Sequence, residues 1–248
     1  KIAKYIDIKS QKLVTVSKGL DANTQERISQ VICRVIPGVD VAVLSGPSHA
    51  EEVARGMITT NVAASASDET AEFAQEIFMT DYFRVYTNND IIGVELGGAL
   101  KNIIALCVGV LDGMGMGDNA KAALMTRGMT EISRLGIKLG ARLETFFGLT
   151  GMGDLIVTCT SMHSRNRRAG ILIGQGKTAK EAIDEVKMVV EGVPATVAAY
   201  NLAKKVGVEM PIVNAIYGVL YEGKNVNDCL ASLMTRPRKN ETEDLILK

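Results

Sequence analysis

Lys101 stands in one of the most apolar stretches of the chain, residues 91–111, preceded by Gly97-Gly98-Ala99-Leu100 and followed by Asn102. On a helix, positions i, i+3 and i+4 share a face, so Gly97 and Gly98 lie beneath the lysine. Two glycines inside a helix cost about 1 kcal/mol each relative to alanine, a penalty that implies close approach by a partner backbone or by a ligand. A lysine among apolar neighbours loses hydration, its pKa falls, and it becomes suited to proton transfer near neutral pH. The competing reading is a lysine that snorkels to the surface from a helix packed through its glycines. The motif by itself leaves both open.

Further along, Gly148-Leu149-Thr150-Gly151-Met152-Gly153 brings Asp154 to the junction of a glycine-rich turn and a helix start. An aspartate in that place is most commonly a helix N-cap; the alternative is an acid that partners a desolvated lysine. Ser164-Arg165-Asn166-Arg167-Arg168 follows, and three arginines with Ser and Asn at a helix start make a ready oxyanion or phosphate site. Its plainer reading is an exposed basic turn. Two other glycine-rich stretches only imitate nucleotide loops. Gly115-Met116-Gly117-Asp118-Asn119-Ala120 matches G-x-G-x-x-A, but a long helical stretch precedes it, and Lys138-Leu139-Gly140 stands where an acid about 20 residues on is required. It reads as a helix–helix turn. Gly174-Gln175-Gly176-Lys177-Thr178 resembles the end of a P-loop, yet the glycine required upstream falls on Ile171. It reads as a turn feeding a capped helix.

The elements that must position these groups fall into two kinds. Up to residue 88, short β-branched runs at 13–16, 41–44, 60–64 and 83–86 alternate with helical stretches at 25–34, 50–55 and 68–78, the last capped by Ser67 and Asp68. That alternation predicts βα units and a mainly parallel sheet. From Asn89 onward helical periodicity takes over: residues 91–111, a helix capped by Asp118 and running to Lys138, a capping box at Thr178-Ala179-Lys180-Glu181, and helices at 191–206 and 211–221. The expected fold class is α/β: an incomplete Rossmann-like dinucleotide-binding domain over residues 1–88, followed by an all-α domain over 89–248.

Bulk properties narrow the function. Lys plus Arg equals Asp plus Glu, 28 each, so no broad field attracts nucleic acid or an acidic membrane surface. Aromatic residues are 4% and Trp is absent, which suits a helix-rich protein with many close backbone approaches. Cys33, Cys107, Cys159 and Cys229 are far apart, and His49 and His163 complete no ligand spacing with them, so no metal and reduced thiols are expected. The 91–111 stretch is long enough to raise the question of a membrane span, but it contains Glu95, Lys101 and Asn102, and a charge near mid-bilayer costs about 2.5–3.5 kcal/mol. A buried helix in a soluble core is expected. No signal-peptide pattern is seen at the start, and the first residue is Lys1, which reads as a processed chain or a fragment.

Six segments taken together resemble the bacterial NAD(P)-dependent glycerol-3-phosphate dehydrogenases in order and spacing. They are Val16-Ser17-Lys18-Gly19-Leu20, Leu44-Ser45-Gly46-Pro47-Ser48, Leu96-Gly97-Gly98-Ala99-Leu100-Lys101-Asn102, Gly151-Met152-Gly153-Asp154-Leu155, Ser164-Arg165-Asn166-Arg167 and Val189-Val190-Glu191-Gly192. The resemblance covers essentially the whole chain and departs from the family at the N-terminus, where members begin with a strand and G-x-G-x-x-G within roughly the first ninety residues. It implies a reversible reduction of dihydroxyacetone phosphate to sn-glycerol 3-phosphate, a glycerophospholipid precursor, with NAD(P)H as the hydride source. It implies that Lys101 is the proton donor with Asp154 beside it, and that Lys18, Gly46, Ser48, Asn102, Ser164, Arg165 and Asn166 hold the substrate. Lys18, Ala50, Arg165, Val189 and Glu191 would line the cofactor. A cytoplasmic homodimer is implied as well. The alternatives are a related hydroxyacid dehydrogenase of the same fold, which the Ser-Arg-Asn-Arg anion site argues against, or a non-catalytic helical dimerisation or substrate-binding fragment. Because the pyrophosphate-binding turn is missing from these residues, the chain made alone is expected to show no turnover and to bind NADH at least about 100-fold more weakly than an intact enzyme.

Overall fold

The computed structural model describes residues 3–241. Four strands, β1 (Lys12–Thr15), β2 (Asp40–Ser45), β3 (Thr59–Ala64) and β4 (Phe83–Asn88), form one sheet in the order β1-β2-β3-β4. Helix α1 (Ile28–Val35) carries the chain from β1 to β2, α2 (Ala50–Val53) lies between β2 and β3, and α3 (Asp68–Phe78) connects β3 to β4. The outer pairs β1–β2 and β3–β4 are parallel, but the middle pair β2–β3 is antiparallel. The mainly parallel expectation therefore fails at the centre of the sheet, for a local reason. A parallel crossover needs a connection that runs back along the strand, usually a helix of a dozen residues in all. The only helix between β2 and β3 is four residues long, so the chain reverses instead.

Helix α3 begins at Ser67, whose side chain accepts from the Thr70 N–H, as its sequence predicts. Ala42, Leu44, Ala63, Phe83 and Val85 bury one face of the sheet together with Ala74 of α3. The other face, through Val43, Val62 and Ala64, packs on Val94. Val94 belongs to α4 (Ile91–Gly113), the helix predicted from the long apolar run. It is long and apolar enough to cross a membrane, but 89% of its most apolar window is buried inside the protein. After it come α5 (Asp118–Lys138), α6 (Leu143–Phe147), a π-turn at Leu149–Gly153, α7 (Asp154–Thr160), α8 (Arg165–Gly174), α9 (Ala179–Val186), α10 (Gly192–Val206), α11 (Pro211–Tyr221) and α12 (Val226–Met234). Leu96, Leu100, Ile103, Ile104 and Leu106 of α4 meet Met129, Ile132, Leu135, Phe146, Leu155 and Met210 in one continuous core. Each such side chain gains about 1.5–3 kcal/mol by leaving water, which is ample to hold a helix that carries five glycines.

The helix ends follow sequence chemistry closely. Thr178 and Glu181 form the expected capping box at α9, and Pro211 opens α11. Helix α5 differs: Gly117 is its N-cap and Asp118 its first helical residue, so the aspartate serves the helix dipole and an ion pair with Lys121 rather than a cap. The two nucleotide-loop imitations are turns, between α4 and α5 and between α8 and α9. Where α4 crosses α8 the backbones touch. A Cβ on Gly109 would stand 2.1 Å from the Arg167 carbonyl oxygen, and one on Gly170 would stand 2.1 Å from that of Leu106. This glycine-on-glycine crossing sets the start of α8, and with it the arginine cluster, against the middle of α4.

Candidate active site

Lys101 is 4% exposed, so it does not snorkel. Its Nζ lies 3.0 Å from Asp154 Oδ1 and donates to Thr158 Oγ1 at 2.6 Å and to Asn102 Oδ1 at 3.4 Å. The Thr158 hydroxyl in turn donates to the Asp154 carbonyl at 2.6 Å. Asp154 and Thr158 are one turn apart on α7, so a single helix face supplies both acceptors. Asp154 is not an N-cap; it is the first residue of α7, with its carboxylate turned to the lysines. The glycines beneath Lys101 make room for protein rather than ligand. A Cβ on Gly97 would stand 2.9 Å from the Thr150 carbonyl oxygen, and one on Gly98 would stand 2.8 Å from Ser45 Oγ.

A second lysine shares the carboxylate. Lys18 Nζ donates to Asp154 Oδ2 at 2.8 Å and to the Gly46 carbonyl at 2.9 Å. The Gly46 carbonyl also accepts from Ser48 Oγ at 3.2 Å. Burial holds the Lys101 ammonium below the usual lysine range; the Asp154 charge opposes this, Lys18 adds to it, and Glu191 opposes it more weakly. Desolvation disfavours the charged amine, and a neighbouring cation disfavours it further. Lys101 is thus a buried amine with one carboxylate for two cations, an arrangement suited to moving a proton and to receiving an anion.

The anion-binding residues are only partly as expected. Ser164 caps α8 by accepting from the Arg167 N–H. Arg167 is drawn away from the site: its Nε donates to Asp112 Oδ2 at 2.8 Å and its Nη1 to the Thr160 carbonyl at 2.7 Å. Arg168 is exposed. Arg165, half-buried at the first turn of α8, makes no hydrogen bond or ion pair with its guanidinium among the described residues. Asn166 Nδ2 donates to Asn102 Oδ1 at 3.1 Å, and its Oδ1 accepts from the Gly192 N–H at 2.8 Å. Asn102 Nδ2 reaches Glu191 Oε2 at 3.4 Å. Asn102, Asn166 and Glu191 are therefore linked beside Lys101, tying the start of α10 to α4 and α8. Ala50 and Val189 are exposed and Glu191 is half-buried. These three are among the residues that the resemblance assigns to a dinucleotide cofactor. No glycine-rich strand-to-helix turn among the described residues offers a seat for its pyrophosphate.

Two neighbours of the lysines carry no signal in the sequence motifs. Thr158 appears only once α7 is folded. His49, the residue before α2, has its Nε2 buried with no hydrogen-bond partner among the described residues, and its ring lies 6.0 Å from that of His163. Burial first, and the charge of Lys101 second, lower the pKa of His49, with Asp154 and Glu52 opposing.

Comparison with known proteins bears on the whole chain. Residues 90–231 match the family profile described as NAD-dependent glycerol-3-phosphate dehydrogenase C-terminus, and residues 1–71 match the one described as its N-terminus. The chain is 62% identical over 229 residues to a glycerol-3-phosphate dehydrogenase [NAD(P)+] of Clostridium perfringens, covering 92% of this chain and 69% of that protein. It is also 62% identical over 232 residues to the enzyme of the same description from Moorella thermoacetica, covering 93% of this chain and 69% of the relative. Among solved structures, a glycerol-3-phosphate dehydrogenase from Coxiella burnetii superposes with a TM-score of 0.91 at 38% identity, over 95% of this chain and 72% of that one.

Proposed function

The chain belongs to the family of NAD-dependent glycerol-3-phosphate dehydrogenases, an oxidoreductase family, and we propose that Lys101 is the acid–base residue of its reaction. In the reductive direction the Lys101 ammonium gives a proton to the C2 oxygen of dihydroxyacetone phosphate while C2 accepts hydride, forming sn-glycerol 3-phosphate. In the oxidative direction neutral Lys101 takes the C2 hydroxyl proton. NAD(P)H supplies the hydride when bound. Asp154 holds Lys101 in place and stabilises its protonated form, and Thr158 fixes the direction of its Nζ. The observation that carries this reading is the pairing of two lysines with one buried carboxylate, an excess of positive charge that a phosphorylated substrate completes.

Arg165 is the natural phosphate ligand, because a half-buried guanidinium with no hydrogen bond or ion pair among the described residues gains most from an anion, and the first turn of α8 adds its N–H groups and dipole. Asn102, Asn166 and Ser164 shape that end of the site, and Gly46, Ser48 and Lys18 the opposite wall. Lys18, Ala50, Arg165, Val189 and Glu191 would hold the nicotinamide side of the cofactor. We divide the chain into a Rossmann-like part, residues 1–88, and a helical catalytic part, 89–248. We assign the enzyme to the cytoplasm as a homodimer whose product serves glycerophospholipid synthesis. These 248 residues by themselves are expected to bind NADH poorly, since no turn among the described residues is a glycine-rich strand-to-helix seat for a pyrophosphate. Calorimetric titration with NADH tests that expectation, and tight stoichiometric binding overturns it. The reaction itself is tested by NADH oxidation with dihydroxyacetone phosphate, assayed on this chain fused behind a strand–G-x-G-x-x-G–helix unit. Turnover of dihydroxyacetone no slower than that of its phosphate ester would exclude the phosphate site.

A further inference from the structure

We propose that Asn61 is a positioning residue for this site, holding loop 46–48 from behind so that the Gly46 carbonyl keeps Lys18 on Asp154. The inference rests on the reading of Lys18, Asp154 and Lys101 given above. Asn61 lies in the middle of β3 at 3% exposure, between Thr60 and the apolar run Val62-Ala63-Ala64. A buried amide costs about 1–3 kcal/mol for each polar group left unbonded, and Asn61 Oδ1 has no hydrogen-bond partner among the described residues. Its Nδ2 does have one, donating to Ser48 Oγ at 3.3 Å. The amide is therefore an expensive choice for a strand interior, and its one polar contact is with the loop.

From Ser48 the hydrogen bonds run without a gap to the lysines. Ser48 Oγ donates to the Gly46 carbonyl at 3.2 Å, the same carbonyl accepts from Lys18 Nζ at 2.9 Å, and Lys18 lies 2.8 Å from Asp154 Oδ2. The other carboxylate oxygen is 3.0 Å from Lys101 Nζ. Asn61 also braces the loop sterically. Gly46 has φ +152°, and a Cβ there would stand 2.3 Å from Asn61 Oδ1 and 3.0 Å from Asn61 Cα, so the amide packs directly on the bare α-carbon. The charged and titratable groups that act on Lys101 are Asp154 on α7, Lys18 after β1 and Glu191 before α10, and His49 feels its charge from the start of α2. Of these, Lys18 is the one that hydrogen-bonds to the loop, through the Gly46 carbonyl.

The test uses the 248-residue chain and Asn61→Leu, which keeps the branched shape and removes the amide; Asn61→Ala serves if the leucine variant fails to fold. Three quantities are measured: the thermal midpoint, the affinity for sn-glycerol 3-phosphate by calorimetry, and the ionisation of Lys101 by NMR of labelled lysines. Asn61→Leu is expected to keep or raise the midpoint, to weaken substrate binding about tenfold, about 1.4 kcal/mol, and to let Lys101 titrate at higher pH as Lys18 loosens. A purely structural Asn61 would lower the midpoint and leave the Lys101 titration where it is, which overturns the proposal. If the wild-type chain binds no glycerol 3-phosphate, the site reading falls and takes the proposal with it. If it binds and the variant binds equally well with Lys101 unshifted, the proposal alone falls.

Discussion

Helix α4 buries two charges six residues apart, and they are handled in opposite ways. Glu95, one turn and a half before Lys101, accepts from Arg27 Nη1 at 2.5 Å, from the Ser29 N–H at 2.8 Å and from Ser29 Oγ at 2.5 Å. One guanidinium balances one carboxylate, and further donors fill both oxygens. Lys101 has two good acceptors, but it shares its carboxylate with Lys18. The first arrangement is closed and ties the start of α1 to the second turn of α4. The second sets two lysines on one carboxylate and is linked through Asn102 and Asn166 to the start of α8. Burial of a charge on an apolar helix therefore does not by itself mark chemistry; an unbalanced set of partners does.

That contrast can be broken from either side. The largest expected effect on the fold comes from Glu95→Ala. It leaves the Arg27 guanidinium largely buried without its partner and should destabilise the chain by about 3–5 kcal/mol in denaturant unfolding. A loss within experimental error would mean that the closed pair does not clamp the two parts of the chain. Arg165→Ala is expected to leave stability nearly unchanged and to reduce kcat/KM by a factor equivalent to about 2–4 kcal/mol for dihydroxyacetone phosphate in the fused chain. The loss should be much smaller with a ketone lacking phosphate. Equal losses for both would assign Arg165 to the cofactor or the fold.

The smallest expected effect sharpens the comparison through pH. Because burial lowers the Lys101 pKa in the folded chain, the unfolded chain binds more protons between that lowered value and the usual lysine value. Wild-type stability should therefore rise with pH through this window. Lys101→Met removes the penalty, and Asp154 keeps Lys18 as its counter-charge. The variant should melt above the wild type near neutral pH, with the gap closing as pH approaches the usual lysine range. A midpoint below wild type throughout would mean that the lysine is a net stabilising partner, like Glu95.

Much of this was legible in the residue order because it is local. Ser67, the Thr178–Glu181 box and Pro211 announce helix ends within a turn, and the apolar run that became α4 needs no partner to be recognised. Lys101, Asp154 and Arg165 stood out as chemically costly or rich residues in glycine-rich or helix-start contexts. What was hidden depends on distant contacts. The role of Glu95 is decided by Arg27 and Ser29, 68 and 66 residues away. Arg167 looked like a phosphate ligand until Asp112 claimed it across the α4–α8 crossing. Gly97 and Gly98 were read correctly as points of close approach, but only the fold distinguishes Thr150 and Ser45 from a ligand. The antiparallel β2–β3 pair goes with a connection whose one helix is only four residues long, which strand patterns do not encode.

The most direct test of the account concerns Lys101 itself. In the chain fused behind a dinucleotide-binding unit, wild type and Lys101→Met are assayed across pH in both directions. Reduction needs the protonated amine and oxidation the neutral one. Wild-type reduction should therefore fall, and oxidation rise, through a single pKa below the usual lysine range. Lys101→Met should lose at least about 10²-fold in kcat in both directions, with the shared limb gone and the fold intact. A methionine variant that turns over at the wild-type rate, or that keeps the same pH limb, would contradict the assignment.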